Sequence, residues 1–231
     1  VESVHPMTVM MLLNLVYFRG RWTLPFDESA TEHAPFRMAG GGTEPTPLMR
    51  QTGEIAYFEN DALQAIELTY KNADIAFLVL LPRDESTPGA GLDALERRLV
   101  EGLWSEVVSR LLPREVEIYL PRFSLGATLS CKAGLEGLGL TLPFGQHADF
   151  SGVNDGIGDP ILISKVTQLA RIEVDEEGTV ATAVTALEYI GLSLPPEPIV
   201  FRADHPFLFA LRKQSTGAIF FLGRLMDPAT G

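Results

Sequence analysis

The sequence predicts an α+β chain built on large mixed or antiparallel β-sheets with helices at their flanks. Three observations carry that class. Apolar and β-branched runs recur along the chain, separated by turn-forming clusters. A single stretch, residues 91–111, has apolar residues at the three-to-four spacing of amphipathic helices. The 231 residues are 46% hydrophobic, enough for one sizeable core, and no linker-like stretch divides them.

The elements follow in order. "MTVMMLLNLVYF" (residues 7–18) reads as a long, largely buried strand. "APFRM" is a short strand, and "AGGGTEPTP" (residues 39–47) reads as a flexible loop because glycine and proline dominate it. "EIAYFE", "LQAIELTY" and "DIAFLVLLP" form a three-strand meander. In "GLDALERRLVEGLWSEVVSRL", Leu92, Leu95, Leu99, Leu103, Val107, Val108 and Leu111 mark a helical pair. "EVEIYLPRFSL" returns to strand, "TLSCKAGLEGLGL" is a short helix, and "PILISKVTQLARIEVDEE" is another long strand. "IVFRA", "FLFALR" and "AIFFLGRL" close the chain as antiparallel strands.

Composition excludes several functions. The net charge of −12 argues against nucleic acid and anionic membranes as partners. Uninterrupted apolar runs reach seven residues in "IAFLVLL", against the ~20 that a membrane-spanning helix needs. Cys131 is the single cysteine and reads as a buried or half-buried structural thiol. His5, His33, His147 and His205 are scattered without metal-ligand spacing, so no metal site and no cofactor are expected. No G-x-S-x-G elbow occurs, and the glycines of "GLEGLGL" do not follow a strand and open a helix. "DFSGVNDGIGD" approaches a calcium loop but lacks the closing glutamate. Asp175 and Glu176, read as strand neighbours, point to opposite faces and make no acid/base pair. Nothing here calls for an enzyme.

The stretch "DEEGTVATAVTALEYIGLSLPPEP" (residues 175–198) is unusual. As an extended segment it puts small Thr179, Ala181, Ala183 and Thr185 on one face and β-branched Val180, Thr182 and Val184 on the other. Gly178 allows a pivot, and Pro195, Pro196 and Pro198 cannot donate to a ladder. Two readings stay open: an ordinary strand before a proline-rich loop, or a segment with both a loop state and an inserted-strand state.

Five stretches in order resemble the serpin family over residues 7–228: "NLVYFRGRW", "LPRFSL" with "ADFSGV", "VDEEGT", "FRADHPFLFAL" and "TGAIFFLGRLMDP". The resemblance implies one serpin-like domain over residues 1–231 with an exposed reactive-centre loop at 176–198. It also implies inhibition of a serine protease as a suicide substrate: acylation at the loop, loop insertion into the central sheet, and trapping of the acyl-enzyme. The loop hinge would comprise Glu176, Glu177, Gly178, Thr179, Ala181, Ala183 and Thr185. The family's spacing puts the reactive bond at Leu192–Ser193. Leucine there suits a chymotrypsin-like target, with elastase- or subtilisin-like enzymes as further partners. Sheet opening would be controlled by Asn14, Trp22, Arg122 and Gln168, with Glu176 paired to Arg122 and Gln168 where the family carries a histidine.

The resemblance further implies a monomer acting outside the cell, without cofactor or metal. It also implies that the N-terminal helical part, roughly a third of a family member, lies outside these residues. Fourteen arginines against four lysines, and the absence of an N-x-[ST] sequence, fit a bacterial source with a GC-rich genome. The alternatives are a non-inhibitory serpin-like binding protein or an inactive fragment.

Overall fold

The structure, a computed structural model, describes residues 10–83, 90–154, 161–177 and 198–228. The chain divides into two compact units, residues 19–124 with 173–231 and residues 1–18 with 125–172.

The larger unit is built on an eight-stranded sheet. Its strands are β2 (Glu32–Arg37), β3 (Thr43–Glu59), β4 (Leu63–Thr69), β5 (Ile75–Pro82), β6 (Leu112–Pro121), β9 (Ile199–Arg202), β10 (Phe207–Lys213) and β11 (Ile219–Leu225). The order is β11-β10-β5-β4-β3-β6-β9, with β2 added beside β3. The expected meander is present: β3, β4 and β5 pair antiparallel in sequence. Asn60 shapes the first turn, its side chain accepting from the amides of Ala62 and Leu63. Asn72, with φ 57, sits in the second, a left-handed conformation that asparagine tolerates better than most residues.

Helices α1 (Ala90–Arg98) and α2 (Trp104–Arg110) cover one face of this sheet. Leu92, Leu95, Leu103 and Val107 pack with Phe58, Leu63, Leu78, Leu80 and Leu208 in one cluster, and Leu99, Val108 and Leu111 border it. The two helices are joined by a π-helical turn, Leu99–Leu103, where Gly102 takes φ 104. Phe77 belongs to an aromatic layer, stacked on Phe209 at 5.5 Å with Trp22 edge-on at 6.0 Å. Glu67 and Arg212, both buried, form a 2.6 Å ion pair, and the Gln214 amide donates to the other carboxylate oxygen.

Three readings need correction here. Residues 39–47 are not a loop throughout. Only residues 39–42 turn, with Gly41 and Gly42 at positive φ, and β3 begins at Thr43. Pro45 and Pro47 are tolerated because they pair with β2, the short strand off the main path. The run 115–125 is two strands, β6 and β7 (Phe123–Ser130), broken at Arg122. The last three runs are not all antiparallel. β10 and β11 pair that way, but β9 pairs parallel with β6. The Arg37 amide donates to the Asp204 carbonyl, and His205 Nε2 meets the Pro82 carbonyl at 2.9 Å. Those bonds carry the chain away from β9 instead of reversing it into a hairpin.

The smaller unit holds a three-stranded sheet of order β1-β8-β7, where β1 is Met10–Phe18 and β8 is Ile163–Val174. β1 and β8 pair parallel, from Met10 opposite Ile163 to Phe18 opposite Ile172. The short helices α3 (Lys132–Gly137) and α4 (Ser151–Asn154) follow β7. The helix expected from residue 128 starts later, because Thr128–Ser130 continue β7. β1 is not largely buried. Leu13 and Leu15 are 67% and 68% exposed. An apolar run is buried only when a layer covers its faces, and β1 has a single strand neighbour among the described residues.

Candidate functional site

β8 ends at Val174, and Asp175, Glu176 and Glu177 turn away from it, so Asp175 and Glu176 are not strand neighbours. Their environments diverge. Glu176 is 4% exposed, whereas Glu177 is exposed. Glu176 Oε1 accepts the Thr31 hydroxyl at 2.8 Å and lies 3.6 Å from Arg122 Nη1. The Arg122 side chain is half exposed, so water screens the ion pair from one side. The shorter contact, the neutral hydroxyl, is the better hydrogen bond.

Trp22 holds the turn from below. Its indole Nε1 donates to the Asp175 carbonyl at 2.9 Å. The ring is itself buried, stacked on Tyr70 at 4.3 Å and edge-on to Phe26. An indole with one fixed donor in a packed aromatic wall is a rigid post. It fixes the backbone of the turn without depending on the side chains of the three carboxylates.

The Asp175 carboxyl is pushed above its ordinary pKa. Burial is the largest cause, and the neighbouring charges of Glu177 and Glu176 add to it against the pull of Arg19. The Tyr70 hydroxyl is also pushed up, by burial first and then by Asp175. Arg19 and Glu177 form an exposed pair at 3.7 Å. Arg19, Arg21, Lys71, Asp175 and Glu177 rim an open depression of about 650 Å³. The turn is thus held by the buried Glu176 carboxylate and one buried indole, with the Asp175 carboxyl partly buried and Glu177 in water.

In the smaller unit, Asn14 stands opposite Gln168 in the β1/β8 register. Asn14 is exposed and Gln168 is partly buried. The half-buried Cys131 thiol points its Sγ at Gln168 Oε1, a weak contact at 3.9 Å. The hydroxyl of buried Thr167, beside Gln168, has no hydrogen-bond partner among the described residues. The ladder between β1 and β8 therefore keeps one register from Met11 to Phe18, after a shift between Met10 and Met11, and leaves the Thr167 hydroxyl unsatisfied among the described residues.

In the larger unit Glu176 meets Arg122, Trp22 holds the adjoining Asp175 carbonyl and Glu177 pairs with Arg19 instead, while Asn14 and Gln168 stand opposite each other in the smaller one. Gly178, Thr179, Ala181, Ala183, Thr185, Leu192 and Ser193 lie outside the described residues. Sequence reasoning missed Thr31 and the Asp175 carbonyl as partners. Thr31 belongs to no motif, and a backbone acceptor such as the Asp175 carbonyl leaves no trace in residue type. Among the described residues no cluster of His, Cys, Asp or Glu is placed to hold a metal ion. No described helix is long and apolar enough to cross a membrane.

The sequence model of the family described as "Serpin (serine protease inhibitor)" matches residues 1–228. Iripin-2 of Ixodes ricinus is 37% identical over 228 residues, covering 97% of this chain and 55% of its own length. An uncharacterized serpin-like protein of Thermococcus kodakarensis is 35% identical, covering 100% and 53%. Plasminogen activator inhibitor 1 of Neovison vison is 34% identical, covering 98% and 56%. The chain spans about half the length of the curated relatives it matches. Among solved structures, native protease nexin-1 with heparin superposes with a TM-score of 0.80 at 30% identity, over 96% of this chain and 58% of that one. Human thyroxine-binding globulin in complex with its hormone gives 0.81 at 25% identity, over 99% and 59%.

Proposed function

The chain belongs to the serpin family, and on that premise we propose that it acts as a suicide-substrate inhibitor of a chymotrypsin-like serine protease. The protease attacks the Leu192–Ser193 bond in the reactive-centre loop of residues 176–198. The loop then inserts between β1 and β8 and traps the acyl-enzyme before water can release it. The domain as a whole, residues 1–231, carries the transition. The inhibitor is consumed, not turned over, so it is not an enzyme.

One observation carries this reading: β1 and β8 pair directly and in parallel, and the loop leaves from the far end of β8. A segment that turns back from that end runs antiparallel to β8. It must then also run antiparallel to β1. Insertion exchanges one parallel ladder for two antiparallel ones, which are slightly more stable per residue. Strand addition of this kind is known from serpin loop insertion. Thr179, Ala181, Ala183 and Thr185 supply the small face that can pass over a packed layer.

The energy must come largely from elsewhere. Roughly 14 inserted residues gain ~1 kcal/mol of net hydrogen bonding each. Ordering them costs ~1–2 kcal/mol apiece. Small side chains bury little area, so the drive is relief of stress in the uninserted fold. The exposed apolar side chains of β1 and the unsatisfied Thr167 hydroxyl fit a sheet that is not at its best packing.

The control residues take roles within that scheme. Trp22 and Glu176 hold the near end of the loop, with Arg122 and Thr31 on the Glu176 carboxylate. Asn14 and Gln168 lie lower on the β1/β8 seam, where the strands must part. An amide in place of an imidazole removes a titration between about pH 5 and 8, so seam opening should not respond to pH there.

A second reading, a serpin-like binding protein without inhibition, is favoured by the fold similarity to thyroxine-binding globulin. Incubation with chymotrypsin separates the two. Inhibition gives an SDS-stable complex with cleavage after Leu192. Clean turnover with no complex sinks it.

A further inference from the structure

Three short segments line the open depression beside the turn after β8: residues 19–21, residues 71–72, and Asp175 with Glu177. They are tied to one another. The Lys71 amide donates to the Arg21 carbonyl at 2.6 Å, and Trp22 bridges antiparallel to Tyr70. The Trp22 indole then holds the Asp175 carbonyl. A frame set by backbone bonds and a buried indole is preorganised, which lowers what a ligand loses on binding.

Arg19, Arg21 and Lys71 all stand exposed around it. Two carboxylates answer them. Glu177 pairs with Arg19 at 3.7 Å, a long contact in water that stabilises little. The Asp175 carboxyl is drawn by Arg19, but burial works against its charge. Arg21 and Lys71 have neither a side-chain hydrogen bond nor an ion pair among the described residues. No further carboxylate lines the depression there. The chain carries 30 acidic residues against 18 basic ones, so the shortage of carboxylates is local to this spot.

We propose that this depression binds a small molecule through a phosphate group, held by Arg19, Arg21 and Lys71. A monocarboxylate would give Arg19 nothing that Glu177 does not already give. A phosphate monoester carries close to two negative charges at neutral pH and three acceptor oxygens, enough to meet the three cations at once. Guanidiniums match such oxygens as a fork, and an ammonium adds a point charge. The volume of about 650 Å³ is that of a small-molecule site. A long polyanion would have to leave the depression and run over a chain of net charge −12. Binding draws Arg19 away from Glu177, which makes Glu177 the competitor of the ligand. The site is independent of the inhibitor reading, since nothing in it involves Leu192–Ser193.

Isothermal titration of the full chain with diphosphate, glycerol phosphate and citrate tests this. Saturable binding of either phosphate compound, tighter than that of citrate, supports the site. Preference for glycerol phosphate assigns it to an organic ester, and preference for diphosphate to free phosphates. R21Q/K71Q should weaken binding by about tenfold or more. E177Q should tighten it by about threefold, because the competing carboxylate is gone. R110Q, on α2 and outside the depression, should change nothing. Each variant is first checked for an unchanged thermal transition. If R21Q/K71Q does not fold, K71Q alone should show a loss of about threefold, and an unchanged affinity there ends the proposal. No saturable binding up to about 10 mM overturns the site. So do equal affinities for all chains, citrate binding as tight as that of the phosphates, or no gain in E177Q. Binding of dextran sulfate without binding of either small phosphate also overturns it, in favour of a long polyanion.

Discussion

β5 and β1 are both apolar runs, "IAFLVLLP" and "MMLLNLVYF", and their surroundings could hardly differ more. In β5 every residue from Ala76 to Leu81 is buried. It lies between β4 and β10, with Leu78 and Leu80 against α1 and α2 and Phe77 against Trp22 and Phe209. β1 has β8 on one side, and most of its side chains are exposed. Residue type says strand in both cases. Partners on each face decide whether the strand anchors a core. On the proposed mechanism, a sheet that parts to take in another strand is better served by the second arrangement, because little packing has to be broken to open it.

The comparison makes a large and direct prediction. Phe77→Ala should cost about 3–5 kcal/mol in urea unfolding, the range for removing a buried aromatic side chain. Leu15→Ala should stay within about 0.5 kcal/mol, since its side chain is already in water. A Leu15→Ala loss close to that of Phe77→Ala would mean that β1 is packed in solution, and the contrast between the two strands would be void.

The next effect is smaller and acts through pH. Burial by itself would raise the Asp204 pKa. Hydrogen bonds from His205, Arg37 and Arg202 outweigh that and bring it from 3.8 down to about 2. A carboxylate with a depressed folded pKa stabilises the fold above its unfolded pKa and loses that contribution as pH falls through the folded value. Asp204 should therefore contribute on the order of 2 kcal/mol at neutral pH, withdrawn between about pH 4 and about pH 2. Acid titration of unfolding checks this against Asp204→Asn, which should flatten the loss in that window. An unchanged acid profile would remove Asp204 from the bonds that tie β2 and β9 into the larger sheet.

The legible parts of the sequence were those with a local cause. The meander β3–β4–β5 follows from apolar and β-branched runs separated by turn residues, and α1 and α2 from leucine spacing. Pairing partners were not legible. β9 is four residues long, and nothing in "IVFR" tells a parallel neighbour from an antiparallel one. The start of β3 was hidden because Pro45 and Pro47 look like loop residues until an edge partner is known. At the candidate site, Glu176, Arg122 and Trp22 were found through resemblance to a family, not through periodicity. Thr31 is far from all three in sequence and had no signal. The reactive bond itself, Leu192–Ser193, lies outside the described residues and rests on spacing alone.

Arg122 offers the finest test, because it sits between β6 of the packed sheet and β7 of the exposed one. Its partner Glu176 is buried, which would ordinarily make loss of the cation costly. Two features reduce that cost. Arg122 is half in water at 3.6 Å, and the Thr31 hydroxyl already donates to the same oxygen at 2.8 Å. Arg122→Met should then cost about 1 kcal/mol or less, and Thr31→Val about 1–2 kcal/mol because it strips a buried acceptor of its closest donor. Chemical unfolding of the two variants reads the order directly. If Arg122→Met is the more damaging by several kcal/mol, the ion pair holds the turn after β8, and the charge at Arg122, not the hydroxyl at Thr31, sets how readily residues 176 and onward leave it.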